Sequence, residues 1–298
     1  MPCMGLCHAW LVNNSLLHFN NLEWLTSVGK HLQFYRAFGW TPPIFAHLPL
    51  LLNKDGSKLS KRQNDITVEH FKVLGHQADA VLNLITFCGS GFENNRQIRS
   101  LSGMIKEFSV ERVTQHSAVL DMDLLDYITQ QQILNSCKDS VGMQRLAAEL
   151  KHLVEDTYTD RVTDDVLAEN YLQNIIQHRK HHINRLSDLT SAKNQFLWLS
   201  PDIKLEELHR FTQQPESVLR LLLEELQKLT TVEWQAEYLV AKLQYLCTKH
   251  QLIPFSKMMA MLRYSLTGAK EGPGVVDIMQ MLTKEKTLER LNSLILQA

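Results

Sequence analysis

Apolar residues recur at spacings of three and four along most of this chain, a pattern that predicts a predominantly helical protein. The pattern is strongest in the second half, where it predicts three helices with these core positions: Val218, Leu219, Leu222, Leu223, Leu226 and Leu229; Trp234, Tyr238, Ala241, Leu243 and Leu246; Met258, Met259, Leu262 and Leu266. Helix breakers are scarce, with 12 glycines and 8 prolines. We interpret these stripes as packing surfaces and assign them no cofactor role.

One segment of the first half departs from helical spacing. Phe45 to Leu52 reads as a β-strand, and Asp55-Gly56 after it predicts a tight turn. The residues from 22 to 38 predict a helix that ends at Gly39. Residues 68–73 and 79–87 predict two further short helices on either side of a glycine. Whatever follows the turn therefore lies on a loop after a strand.

That loop is basic, and its sequence is Lys58-Leu59-Ser60-Lys61-Arg62. Two ammonium groups, a hydroxyl and a guanidinium fork on one loop could surround a triphosphate. Such groups stabilise the charge that develops on phosphoryl oxygens and on a departing pyrophosphate. Taken alone, a lysine-rich string of this kind is more typical of an exposed, solubilising turn.

Composition narrows the classes of function. A net charge of -1 provides no overall basic field, so any contact with nucleic acid must come from local patches. The 5 cysteines contain no CxxC pair, which argues against a disulfide framework and a zinc site, and we expect no protein-bound metal. No apolar stretch approaches the roughly 20 residues that span a bilayer, so we expect no membrane contact.

A second basic cluster runs from Gln177 to His182 and includes Arg179 and Lys180, with Arg185 nearby. It could meet the phosphates of an RNA backbone, although a solvated helix face is the commoner explanation. We place it in a helical segment, where the adjacent His181 and His182 would point in different directions and could not share a metal ion.

In its context the basic loop resembles the second class I signature of the glutamyl-tRNA synthetases. The resemblance is carried by the run from Phe45 through Asp65-Ile66 and by residues on both sides of it: Leu22-Glu23-Trp24-Leu25, Lys30-His31-Leu32, Gly39-Trp40, Leu82-Asn83 and Gly89. Near the end, Leu262-Arg263, Leu266-Thr267-Gly268 and Gly272-Pro273 are similar to a C-terminal family pattern. The likeness is strong over residues 22–92, and Cys88-Gly89-Ser90-Gly91-Phe92 is closer to the animal mitochondrial branch.

The resemblance implies ATP as the cofactor, with Mg²⁺ accompanying the nucleotide, and glutamate and tRNA(Glu) as substrates. It makes the loop a mobile ATP-binding element in which Lys58, Leu59, Ser60, Lys61 and Arg62 contact the nucleotide. Lys61 and Lys58 would be the catalytic residues. Glu23 matches the glutamate that binds ribose or adenine-side groups, although without the family it reads as an ordinary charge on a helix.

The chain also departs from the family pattern. The first class I signature, of the HIGH type, does not occur in these 298 residues, and His181-His182-Ile183-Asn184 lies too far downstream to replace it. Asn20-Asn21 stands where the family has Arg-Gly, which removes an expected glutamate-binding arginine. Asn64 replaces a usual glycine, a milder change because asparagine tolerates a left-handed backbone.

The organisation that follows is a remnant of a class I α/β catalytic domain and an all-helical anticodon-binding region, predominantly α overall. We expect residues 1–66 to form the catalytic remnant, 67–135 a helical connecting region that contacts the tRNA stem, and 136–298 the anticodon-binding region. The family implies a monomer in the mitochondrial matrix. We expect a shortened N-terminus without a targeting peptide, since Met1 to Asn14 contains no Lys or Arg.

The predicted function is glutamate–tRNA ligase in mitochondrial translation, with a chain that cannot form the adenylate alone. Charging of tRNA(Gln) as well is left open. One alternative is a non-catalytic helical module that binds tRNA. Another is a product that folds poorly, because a sheet lacking most of its strands exposes an edge and apolar surface.

Overall fold

The computed structural model describes residues 17–21, 25–48, 50–59, 67–89, 91–113, 116–251 and 253–297. Helices predominate within these ranges: α1 Leu25–Ala37, α2 Val68–Val73, α3 Ala78–Phe87, α4 Leu101–Glu107, α5 Asp123–Ser136, α6 Ser140–Tyr158, α7 Glu169–Arg179, α8 Pro215–Gln227, α9 Ala236–His250, α10 Phe255–Thr267 and α11 Val275–Ile295. The strands are β1 Leu17–Asn21, β2 Ile44–Leu48, β3 Leu51–Leu52 and β4 Ala118–Val119. The predominantly helical fold is confirmed.

Two compact units make up the chain, Met1–Gln132 and Ile133–Ala298. All four strands lie in the first unit, whereas the described residues of the second contain only helices and connecting segments. The finer division that the sequence predicts within the first unit, at residues 66 and 67, stays a prediction.

The strands of the first unit form two separate parallel pairs. β1 pairs with β2 in a register that joins Leu17 to Ile44 and Asn21 to Leu48, and α1 connects the two strands. β3 pairs with β4 through Leu51 and Ala118. The single strand predicted over Phe45 to Leu52 is therefore wrong in one respect, because that segment forms two strands with different partners. Pro49 lies outside the described residues.

The first strand, β1, was not predicted at all. Its five residues, Leu17–Asn21, include a histidine and two asparagines, so they show no clear alternation of apolar and polar positions. A parallel strand gains its hydrogen bonds from a partner distant in sequence, here 27 positions further along at Ile44 in the first pair. Local composition does not reveal such a partner.

The core of the first unit lies under α2, α3 and α5. It is formed by these buried residues: Phe71, Ala80, Leu84, Cys88, Leu120, Leu125 and Ile128. The two short helices are confirmed, and Gly75 between them has a φ of 78°, a conformation that glycine adopts without strain. α1 ends as predicted, with a left-handed Gly39 two residues beyond Ala37.

A buried polar network joins α3 to the segment before α4. Asn83 is fully buried, donates to the carbonyls of Asp79 and Arg99, and accepts the Arg99 amide at 2.8 Å. The Arg99 guanidinium donates to Glu107 at 2.7 Å and lies 4.7 Å from the ring centre of Phe92. Because every polar group of Asn83 is paired, its burial costs little.

The second unit has one continuous apolar core, in which α6 packs on α7 and α11 packs on α8 and α10. The three predicted helices are present as α8, α9 and α10. Three details of the second are wrong: Trp234 lies before the helix starts, Tyr238 is 45% exposed, and Ala241 is exposed as well. The buried face of α9 consists instead of Leu239, Leu243 and Leu246.

Arg290 of α11 is buried and ties three elements together. Its guanidinium donates to the carbonyl of Leu266 at the end of α10, at 2.6 Å, and to those of Phe196 and Leu199. Burial lowers the pKa of this arginine. The side chain satisfies carbonyls that a helix end and a turn leave without an amide partner.

Two buried hydroxyls of the second unit should respond oppositely to removal. The Ser265 hydroxyl is buried and finds no hydrogen-bond partner among the residues that the structure describes, whereas the Tyr171 hydroxyl donates to Leu197 O at 2.7 Å. We expect Ser265→Ala to stabilise the fold by about 1 kcal/mol and Tyr171→Phe to destabilise it by about the same amount. Urea unfolding of the two variants measures this, and destabilisation by Ser265→Ala would contradict the burial described here.

Candidate functional site

The basic loop follows directly from a β-hairpin. Leu52 of β3 pairs with Lys58 in an antiparallel bridge, and the Leu59 amide donates to Leu51 O at 3.2 Å. The loop therefore begins on a paired strand segment that lies next to β4 in the first unit.

The turn of this hairpin is closed by its own side chains. The backbone amide of Asn53 donates to the carbonyl of Ser57 at 2.8 Å. The Asp55 carboxylate accepts hydrogen bonds from the backbone amide and from the side-chain hydroxyl of Ser57. The hydrogen bonds that Ser57 donates to the Asp55 carboxylate lower the pKa of Asp55, and the bond from the hydroxyl has the larger effect. Gly56 has a φ of 80°, as the predicted tight turn requires. The turn is thus held in one conformation.

Lys54 fastens the turn to the segment after β4. Its ammonium group lies 2.7 Å from the Asp121 carboxylate and also contacts Asp123, at the start of α5. Hydrogen bonds to the two carboxylates raise the pKa of Lys54. The hydrogen bond between Lys54 and Asp121 lowers the pKa of Asp121. Lys54 thus has a structural role in joining the turn to α5.

Two of the predicted ATP-loop residues are described. Lys58 is exposed at the end of the hairpin, and Leu59 is half-buried against the core of the first unit. Ser60, Lys61, Arg62 and Glu23 lie outside the described residues. The predicted roles of all six residues remain predictions.

The second unit contains an open cleft of about 500 Å³ between the end of α7, the residues before α11 and the first turns of α11. Its lining combines basic side chains with a glycine-rich segment: His178, Arg179, His182, Lys193, Asn194, Ala269, Glu271, Gly272, Pro273, Gly274, Asp277 and Met281. Part of the second basic cluster of the sequence therefore faces a cavity.

The prediction that this cluster lies wholly within a helix is wrong. α7 ends at Arg179, Lys180 caps it, and His181 and His182 lie in the turn that follows. The turn brings His178, Arg179 and His182 to one cleft. Sequence reasoning missed Lys193 and Asp277 because their elements meet the cluster only in the folded chain.

The lining of the cleft carries two cationic side chains, Arg179 and Lys193, and two carboxylates, Glu271 and Asp277. The Arg179 Nε atom is buried and has no hydrogen-bond partner within the described part of the chain. Burial lowers the pKa of Arg179 and of His178, and the negative charge of Asp277 opposes both shifts. An anion in the cleft would supply the missing acceptor and would favour the protonated form of His178.

The carboxylate of Asp277 lies close to the backbone at the start of α11. Gly274 precedes the first residue of this helix, and a Cβ atom there would lie 2.7 Å from an Asp277 carboxylate oxygen. A larger residue at this position would therefore oblige the Asp277 side chain to shift.

Two other kinds of site were sought among the described residues. None of the helices there combines the length and apolar character needed to cross a membrane. Within the same ranges no three His, Cys, Asp or Glu side chains are grouped so that they could hold a metal ion.

Comparison with known proteins decides the family. Residues 18–127 match the catalytic domain of class I tRNA synthetases (E and Q), and residues 145–295 match an anticodon binding domain. The chain belongs to the glutamyl-tRNA synthetase family. Both units therefore have counterparts in this family, and the predicted architecture of a class I catalytic portion followed by a helical anticodon-binding region is confirmed.

The individual relatives agree. The mitochondrial glutamate–tRNA ligase of Schizosaccharomyces pombe is 30% identical over 96% of this chain, which covers 55% of that protein. The glutamate–tRNA ligase of Prosthecochloris aestuarii is 32% identical over 90% of the chain and 53% of its own length. A glutamate tRNA ligase of Elizabethkingia meningosepticum, solved in complex with its amino acid, aligns with a TM-score of 0.68 at 26% identity. That alignment covers 94% of this chain and 57% of the solved one. The chain spans about half the length of the curated relatives it matches.

Two glycines of the first unit offer a matched test of the hairpin. Neither Gly29, within α1, nor Gly56 has any atom within 4 Å of an added Cβ, but only Gly56 has a positive φ. We expect Gly56→Ala to destabilise the fold by roughly 1–2 kcal/mol and Gly29→Ala to stabilise it by up to about 1 kcal/mol. Thermal unfolding measures both. Equal effects of the two substitutions would contradict the turn described here.

Proposed function

We propose that the chain supplies the lysine loop and the tRNA-binding helical region of a glutamate–tRNA ligase. The parent reaction has two steps: glutamate and ATP form glutamyl-adenylate and pyrophosphate, and the terminal ribose of tRNA(Glu) then attacks the activated carbonyl. The observation that carries the proposal is the hairpin of residues 51–59, which presents Lys58 to solvent immediately before Ser60, Lys61 and Arg62.

The hairpin explains how the basic loop could act on a nucleotide. Leu59 is packed against the core, and Lys54 joins the turn to Asp121. The loop therefore starts from a fixed position, and its lysines could reach the ATP phosphates without a large loss of conformational freedom. In the proposed site Lys61 stabilises charge on the transferring phosphoryl group and Lys58 assists it, with Mg²⁺ bound to the nucleotide.

The first class I signature is absent from these 298 residues, so the charge-stabilising groups in this sequence form only half of the expected site. We therefore expect this polypeptide to give only background ATP–pyrophosphate exchange in the presence of glutamate and Mg²⁺. A rate well above background would show that the described loop suffices for adenylate formation.

The same sample allows a direct check that the loop engages nucleotide. We expect ATP with Mg²⁺ to shift the backbone amide NMR signals of residues 56–59, and Lys58→Met with Lys61→Met to remove the shifts. Lys30→Met, which removes an exposed lysine from α1, is the control with the same change of side chain. Shifts that persist in the double variant would contradict the role of the two lysines.

The cleft of the second unit supports the RNA-binding part of the proposal. Two cationic side chains, Arg179 and Lys193, line it together with two histidines, and the same lining contains the carboxylates of Glu271 and Asp277. The unpartnered Nε of Arg179 is a donor suited to a phosphate or to a base edge. The alternative remains a non-catalytic tRNA-binding module. Such a chain would use the cleft without catalysing adenylate formation.

Removing one cationic side chain from the cleft should weaken binding of tRNA(Glu) in a salt-dependent way. We expect Arg179→Gln and Lys193→Gln each to lower the affinity and to reduce the slope of log affinity against log salt by about 1, because one phosphate contact is lost. Lys249→Gln, on α9 and outside the cleft, is the matched control. Gel-shift titrations at several salt concentrations measure this. Equal slopes in all variants would place the RNA elsewhere.

We further propose a role in mitochondrial translation. The name of the S. pombe relative supports this assignment, and so does the Cys88-Gly89-Ser90-Gly91-Phe92 segment. The same proposal includes glutamate and tRNA(Glu) as substrates and a monomer as the oligomeric state. Whether tRNA(Gln) is also charged is left open, as it was from the sequence.

A further inference from the structure

α11 is not one straight helix. Thr283, in its middle, has a φ of 67° and a ψ of 169°, which is not a helical conformation. A β-branched residue rarely adopts a positive φ, so the surrounding structure must hold this residue in place. The break divides α11 into a first segment that starts at the cleft and a second segment, and both contribute buried residues to the core.

A break in a helix separates the carbonyls before it from the amides that would bond them four residues later. Side chains from other elements fill this need in α11. Asn174 of α7 donates its amide to Gln280 O at 2.9 Å and to Met281 O at 3.2 Å. The Trp234 indole donates to Met279 O at 3.2 Å. The kink thus has an identifiable cause, since a side chain inserts into the helical hydrogen-bond ladder.

The residues beyond the break are fixed independently. Lys284 donates to Gln227 O at 2.9 Å and also to Leu229 O, at the end of α8. The Thr287 hydroxyl donates to Thr283 O at 2.7 Å. The second segment therefore has its own anchors, and Asn174 joins the first segment to α7 by two hydrogen bonds in addition to the apolar core that the helices share.

Asn174 itself does not line the cleft, but both walls of the cleft are tied to it. It lies on α7 one helical turn before His178, which lines one wall together with Arg179. Its acceptors, Gln280 and Met281, belong to the segment that carries Asp277 on the other wall, and Met281 itself lines the cleft.

We propose that Asn174 is a positioning residue for RNA recognition: by bonding the two carbonyls at the kink it sets the spacing of the cleft walls. This inference rests on the proposed RNA-binding role of the cleft. It concerns the geometry of the cleft and adds no charge to it, so it predicts a change in selectivity between RNAs rather than in general attraction to phosphate.

The test compares tRNA(Glu) with a version whose anticodon is changed. Asn174→Leu keeps the approximate size of the side chain and removes its donors. We expect the ratio of the affinity for the native tRNA to the affinity for the changed tRNA to fall about tenfold in the variant, because the walls no longer hold a fixed spacing. Binding of the changed tRNA should decrease much less. Gel-shift titration at one salt concentration, below the unfolding temperature of every variant, gives both affinities.

Val154→Ala is the control for general destabilisation. Val154 is fully buried on α6 and takes part in none of the hydrogen bonds described at the kink. A smaller folded fraction lowers both affinities by one factor and leaves their ratio unchanged. An unchanged ratio in Asn174→Leu would overturn the inference alone. If the wild-type chain shows no preference between the two RNAs, the proposed RNA-binding role is wrong, and the inference fails with it.

Hydrogen exchange of the free protein provides a readout that needs no RNA. We expect Asn174→Leu to accelerate amide exchange over residues 275–285, whereas Val154→Ala should act mainly on α6. Unchanged exchange in this part of α11 would show that Asn174 does not hold the kink, and would overturn the inference whatever the RNA titrations give.

Discussion

Buried backbone carbonyls must find hydrogen-bond donors, and in this protein long polar side chains supply many of them where helices end or break. Arg290 donates to the carbonyls of Leu266 at the end of α10 and of Leu199. Tyr171 and Trp198 do the same for Leu197 and Leu189. Because each of these donors joins two elements, the helices of the second unit are fixed at their junctions as well as by their apolar core.

The two candidate sites depend on this arrangement in different ways. In the first unit, the closed turn and the paired strands fix the hairpin that carries Lys58 and Leu59, the first two residues of the basic loop. In the second unit, the first segment of α11 starts opposite the end of α7. Both candidate sites thus carry basic residues in a chain whose net charge is -1.

Much of the architecture was predictable from local sequence. Spacings of three and four identified α8, α9 and α10, since packing on one face imposes that period. The phase of α9 was mistaken at Tyr238, because an aromatic residue at an apolar position can lie at the edge of the buried face. β1 was missed, and Phe45 to Leu52 was taken as one strand, because strand partners are chosen by distant residues.

The sequence by itself determined the helical class, the position of the basic loop and its family, because periodicity, turn residues and a contiguous motif are local properties of a chain. Only the tertiary structure decided that Lys54 pairs with Asp121, and that His178, Arg179 and Lys193 share a cleft. It alone revealed the break at Thr283. The physical reason is the same in each case: whether a polar group is spent on the protein or left for a ligand depends on which donors and acceptors folding brings beside it.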